Sequence, residues 1–172
     1  MELVWTKELS VGNAIIDAEH KNLIGMVNDV MHGIKTRNCS ILPQAFRMLE
    51  HWLYAHFANE KKIAQAVGFS FDRHHLAQQH ALKELLHLRD ELVTKDGIWS
   101  DRAANHFIRS LENWVIDEHI IKLDMLMKPV LQNYAYDFLP DCEHDEAVHA
   151  AEEPQTRASG ARWCGCGCGC DD

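Results

Sequence analysis

Apolar residues recur every three or four positions in four separate stretches of this chain, and that periodicity leaves few folds open. From Asp17, the residues Leu23, Met26, Val27, Val30, Met31 and Ile34 mark an amphipathic helix running to about Lys35. Thr36-Arg37-Asn38-Cys39-Ser40 breaks it. Pro43 suits the first turn of a second helix, where its missing N–H costs nothing. That helix carries Phe46, Leu49, Leu53, Phe57 and Ile63 and is stopped by Gly68. Asp72 is placed to cap a third helix bearing Leu76, Leu82, Leu85, Leu86 and Leu92, ending near Asp96-Gly97. Ser100 caps a fourth, with Phe107, Ile108, Leu111, Trp114, Val115, Ile121 and Leu126, which closes before Pro129.

Four helices of roughly 20 to 27 residues with short connections predict an all-α, antiparallel, up-down-up-down four-helix bundle. No strand pattern competes. Residues 1–16 read as an extended arm, and 130–139 as a short apolar appendage that needs something to pack on. From Pro140 the composition turns to Glu, Ala, Pro, Gln, Thr and Ser, the signature of a disordered linker. The expected organisation is therefore a helical domain over 1–139 and a linker with a Cys-Gly tail over 140–172.

A net charge of −9 supplies no basic stripe for phosphates, so no nucleic-acid partner is expected. No signal peptide and no run long enough for a membrane span are read, which makes cytoplasmic the default location and excludes a membrane partner. Four of the six cysteines (Cys164, Cys166, Cys168, Cys170) crowd the end of the chain, unlike a secreted disulfide framework. Those thiolates could bind a soft ion such as copper or zinc, or cycle through disulfides; the plain alternative is a low-complexity tail.

Histidine is the outlier, at twelve. His56 and Glu60 lie one helical turn apart on the second helix. His20 follows Asp17 and Glu19 on the first, His74, His75 and His80 cluster on the third, and His119 precedes Asp124 on the fourth. An antiparallel bundle brings such positions to similar depth, as in di-metal carboxylate sites. Imidazole and carboxylate without thiolate suit Fe(II) or Mn(II) better than Cu(I). One such histidine alone would more often be a core residue; a contribution from every helix favours a metal.

The stretch Val11-Gly12-Asn13…Ile16-Asp17…Glu19-His20-Lys21…Leu23…Asn28 resembles the opening motif of the bacterial hemerythrins. His56-Phe57-Ala58-Asn59-Glu60 followed by Gly68-Phe69 resembles their second-helix motif, and His119-Ile120…Asp124 their fourth. The resemblance covers about residues 5–131. It implies two iron ions, Fe(II) or Fe(III), with a bridging oxo or hydroxo group, and reversible binding of dioxygen for storage, delivery or sensing. His20 and His56 would hold the iron that takes oxygen, His75 and His119 the other, with Glu60 and Asp124 bridging. The family's second third-helix histidine would fall at position 79, where this chain has Gln79. Either a π-bulge brings His80 to the iron, the reading preferred here, or Gln79 or water completes the site. Trp114 also stands five residues before His119 where the family shows four, which predicts an irregularity in the fourth helix.

Asp17 or Glu19 could orient His20, or simply favour the helix N-terminus. Trp52, Trp114, Met26 and Phe57 could line a ligand pocket or fill the core. His32, His51, His74, His87 and His106 are read as partly exposed helix residues, and His144 and His149 as linker residues. Two rival functions follow. One is a di-iron oxidase, peroxidase or nitric-oxide scavenger. The other is a redox- or oxygen-responsive module acting through the tail cysteines.

Overall fold

The computed structural model describes residues 2–140, and the linker and Cys-Gly tail read over 140–172 lie, from 141 onward, outside the described residues. Four helices dominate: α1 (Ala14–Thr36), α2 (Leu42–Ala66), α3 (Asp72–Lys95) and α4 (Asp101–Asn113). The α4 axis continues through a π-helical segment (Trp114–Ile121), a 3-10 turn (Asp124–Leu126) and a single helical turn, Lys128–Leu131. No strand occurs among the described residues, and no helix there is long and apolar enough to cross a membrane.

Local chemistry sets the boundaries. Asn13 caps α1, its side-chain oxygen accepting from the N–H of Ile15 and Ile16, so α1 starts three residues before the expected Asp17. Pro43 occupies the first turn of α2, and Gly68 (φ 71°) follows its end in the left-handed region that glycine tolerates best. Ser100 caps α4 by accepting from Ala103 N–H. Asp72 is not the cap expected of it: Phe71 holds that place with no side-chain bond, and Asp72 lies inside the first turn.

The core divides into two apolar clusters along the bundle. The larger one joins Leu23, Val27, Phe46, Leu49, Leu53, Leu85, Leu92, Phe107, Leu111 and Val115 with their neighbours. The smaller joins Val11, Ile16, Ile63, Ala64, Val67, Phe71, Met127 and Leu131. On α1, Ile16 belongs to one cluster and Leu23 to the other; on α2, Ile63 and Leu53 divide likewise. The polar residues between them are thus enclosed by apolar packing on both sides. α1 packs on α2 and α4, and α2 on α3, whereas α3 and α4 approach least, leaving a cavity of about 830 Å³ between them.

Much of the N-terminal motif docks the arm. Asn28 donates to Leu3 C=O (2.8 Å) and accepts from Leu3 N–H (2.9 Å), fixing one backbone unit of the arm against α1. Asp17, fully buried, accepts from Val11 N–H (2.9 Å), from the Ser10 hydroxyl and from the Tyr136 hydroxyl (3.1 Å). Asn13 donates to Phe138 C=O, and Ala14 N–H to Tyr136 C=O. The 130–139 appendage therefore packs by folding back over the start of α1. Replacing Asp17 by Ala leaves the buried Val11 N–H unpaired, which costs about 1–3 kcal/mol. Thermal unfolding should shift down by roughly 2–4 °C for each kcal/mol lost, with helicity and metal uptake retained.

Candidate metal centre

The polar residues between the two clusters come from every helix. His20 lies one turn into α1, His56 and Glu60 near the end of α2, and His74 and Gln78 in the first turns of α3. His119 and Asp124 lie late on the α4 axis. Residues near the starts of α1 and α3 meet residues near the ends of α2 and α4, as alternating helix directions require.

His20, His56, Glu60, His119 and Asp124 each point a ligand-type atom into one space, all within 4.8 Å of one another, and all five are buried. The Nε2 atoms of His56 and His119 are 2.9 Å apart, and His20 Nε2 lies 3.0 Å from Asp124 Oδ2. Donors about 2.1 Å from one cation stand about 3 Å apart in cis, so this crowding matches a coordination sphere. His74 extends the cluster, with Nε2 2.7 Å from Asp124 Oδ1 and 3.9 Å from Glu60 Oε2. Gln78 donates its amide N–H to the same Glu60 oxygen.

Several of these buried atoms have no hydrogen-bond partner: both ring nitrogens of His20, Glu60 Oε1, Gln78 Oε1 and Asp124 Oδ2. The 3.0 Å approach of His20 to Asp124 is misaligned for a hydrogen bond. Each orphan of this kind costs about 1–3 kcal/mol when buried, and a cluster of them converging on one point is what a cation would resolve. The group could hold a metal, and its nitrogen and oxygen donors suit a divalent cation of the iron or manganese type.

The electrostatics agree. Burial, reinforced by the Asp124 charge, pushes the Glu60 carboxyl well above its usual range. Burial acts on Asp124 in the same direction but is outweighed by the imidazoles of His119, His20 and His74, which hold it well below the carboxylate range. Without a cation the two carboxyls are pushed in opposite directions, Glu60 towards the protonated form and Asp124 towards the ionised one. Burial lowers His119 to about 3 against the pull of Asp124, and lowers His56 against its bond to Glu19. Both rings are neutral near pH 7, the form that binds metals.

The third helix departs from the sequence reading. His75, Gln79 and His80, the expected ligand and the two expected alternatives, are all exposed, while His74 and Gln78 are buried at the site. The buried line of α3 is His74, Gln78, Leu85 and Leu92, a phase one residue earlier than expected. Leu76, counted as core, is 67% exposed, and Leu82 and Leu86 are only partly buried. α3 is a regular α-helix with no π-bulge, so His80, two residues beyond the buried Gln78 at about 100° per residue, is turned well away from the buried face and lines the α3–α4 cavity. The histidine assigned to an exposed face, His74, is the one at the centre. His32, His51, His87 and His106 are exposed, as expected; His144 and His149 lie outside the described residues.

The irregularity falls instead on the fourth helix. In the π-helical segment residues five apart come into line, and Trp114 stacks on His119 with centroids 6.0 Å apart and planes 8° from parallel. Phe57 closes another side, 5.8 Å from His56 and 5.6 Å from His119. Met26 and Trp52 pack against the larger apolar cluster. Neither Asp17 nor Glu19 bonds His20. Glu19 accepts from His56 Nδ1 at 2.9 Å and from the Asn59 amide, so its carboxylate orients His56.

Among curated proteins, the chain is similar to the bacteriohemerythrins of Pseudomonas aeruginosa strains LESB58 and UCBPP-PA14, and to that of Pseudomonas paraeruginosa (strain DSM 24068 / PA7). In each case the identity is 27% over 73 residues, which is 42% of this chain. The match spans about half the length of those relatives, 48%. No family model matches the chain, and no solved structure does.

Two outcomes test this centre. His74→Ala should weaken Fe(II) or Co(II) binding by at least tenfold in a chelator competition, whereas His75→Ala should leave it within about twofold. In the metal-free protein, Glu60 binds its proton more tightly folded than unfolded. Its contribution to stability is therefore present below the unfolded carboxyl pKa and is lost as pH rises through the folded one. Glu60→Gln should accordingly stabilise the metal-free chain more at pH 8 than at pH 5 in thermal melts.

Proposed function

We propose that this hemerythrin-like chain holds two iron ions between its apolar clusters and binds dioxygen reversibly there. The observation that carries the reading is the convergence of three histidines and two carboxylates, all buried, on one space. In this reading His20 and His56 hold one iron, His74 and His119 hold the other, and Glu60 and Asp124 bridge. His74 takes the role that the sequence assigned to His75.

Iron held by these residues would supply the affinity for dioxygen and the electrons to share with it. The protein's own residues supply the rest. Glu19 fixes the ring of His56, so that Nε2 faces inward without a conformational search. Phe57 and Trp114 wall the imidazoles and keep water away from the ligand. Burial favours the protonated form of Glu60, and a cation would offset that cost, so that both carboxylates could serve the metal pair. Two carboxylates offset half of the four positive charges of two ferrous ions.

One observation favours a second reading. The cavity between α3 and α4, lined by Leu88, Phe107, Leu111, Trp114 and His119, is far larger than a diatomic ligand requires. An oxidase or peroxidase acting on a small organic donor would use that space.

Anaerobic reconstitution with Fe(II) followed by controlled air exposure separates the two. Reversible binding predicts about two irons per chain and a visible charge-transfer band that rises in air and disappears on deoxygenation. Irreversible oxidation, with steady consumption of an added donor, would select the enzymatic reading. A chain that retains no iron would overturn both.

A further inference from the structure

Gln78 is the one side chain among the buried polar groups of the site that cannot ionise. It is 2% exposed and sits one turn after His74 on the same face of α3. Its amide N–H reaches Glu60 Oε2, the oxygen that His74 Nε2 also approaches at 3.9 Å. With a cation present and Glu60 ionised, its oxygen can only accept, so the amide N–H would stay on Glu60 and leave Oε1 as the free end. Oε1 is buried with no hydrogen-bond partner. A glutamine needed only to hold Glu60 would satisfy its oxygen elsewhere or be exposed there; this one keeps a bare acceptor beside metal-binding groups.

We propose that Gln78 belongs to the coordination sphere, its amide oxygen serving the metal on the α3 side while its N–H fixes Glu60. This rests on the two-metal reading above. An amide oxygen is neutral and a harder, weaker donor than imidazole. It would add a third terminal donor to His74 and His119, so the α3-side position depends on Gln78 while the α1/α2-side position, held by His20 and His56, does not. The occupant of the α3-side position is a divalent cation content with oxygen donors, Fe(II) or Mn(II) rather than Cu(I).

The test is a titration of the metal-free full-length chain with Co(II) under nitrogen, following the visible d–d bands and chelator competition, with circular dichroism to confirm folding. The wild-type chain should take up two equivalents. Gln78→Leu should weaken one of them at least tenfold and change its d–d bands as one ligand is lost, leaving the other within about twofold. Gln78→His should tighten that same equivalent at least tenfold, and it decides the question if the leucine variant fails to fold. A purely structural Gln78 would act through the shared Glu60, so its loss would weaken both equivalents alike. That pattern overturns the inference, as does a folded Gln78→Leu chain with both equivalents unchanged, or a Gln78→His chain with unchanged affinity and bands. A wild-type chain that takes up a single equivalent overturns the two-metal reading, and the inference with it.

Discussion

Two carboxyl groups, Glu60 and Asp124, share an enclosure from which water is excluded, and the rest of the structure is arranged around that fact. Two like charges cannot both persist in such a place without cations or protons to offset them. Asp124 is held towards its charged form by the three imidazoles around it; Glu60, facing an amide and two more distant imidazoles, His56 at 3.7 Å and His74 at 3.9 Å, is pushed towards its protonated form. His56 and His119 meet the complementary constraint, burial pushing both towards the neutral form. A folded chain with this interior stores a demand for positive charge. The apolar clusters on either side sustain the demand by excluding water, and four helices must converge before it exists at all.

The fold answers to the same constraint in its less regular parts. The π-helical segment of the fourth helix costs hydrogen-bond geometry, and in return it aligns Trp114 with His119 and carries the chain on to Asp124. The arm and the 130–139 appendage cover the start of α1 through Asn13, Asp17 and Asn28. They close the end of the bundle nearest the site, where Val11, Met127 and Leu131 complete the smaller cluster. Residues that read in the sequence as one motif with His20 therefore serve two purposes: His20 enters the centre, and its neighbours seal it.

How legible all this was depended on how strongly each helix declares its buried face. α1 buries a continuous apolar line around His20, and α2 brackets His56 and Glu60 with Leu53 and Ile63, so the burial of these three side chains was legible in the spacing. The five-residue step from Trp114 to His119 announced the irregular fourth helix. α3 was misphased because it buries only two apolar side chains, Leu85 and Leu92, while Leu76 and Leu86 suggest a different face. Adjacent histidines at 74 and 75 and adjacent glutamines at 78 and 79 left the choice to that weak pattern. The His74–Gln78 and His75–Gln79 pairs have the same spacing, so spacing could not separate them. The step from Gln78 to Leu85 and then Leu92 carried the correct phase.

The weakness of α3 as a pattern is also a property of the molecule. A helix with two buried polar residues and two buried leucines is held chiefly by its neighbours, and on the α4 side it has little to hold, because the cavity lies there. Three helices therefore build a rigid, apolar-backed half of the centre, and the fourth offers a looser half that meets the open groove. Asymmetry of this kind separates two tasks that compete in a buried metal site. Retention needs a tight, fully enclosed sphere; exchange of a ligand or cation needs a side that gives. With the imidazoles of His20 and His56 on α1 and α2, and that of His74 joined by a neutral amide on α3, one bundle would meet both needs without moving the helices that hold its core together.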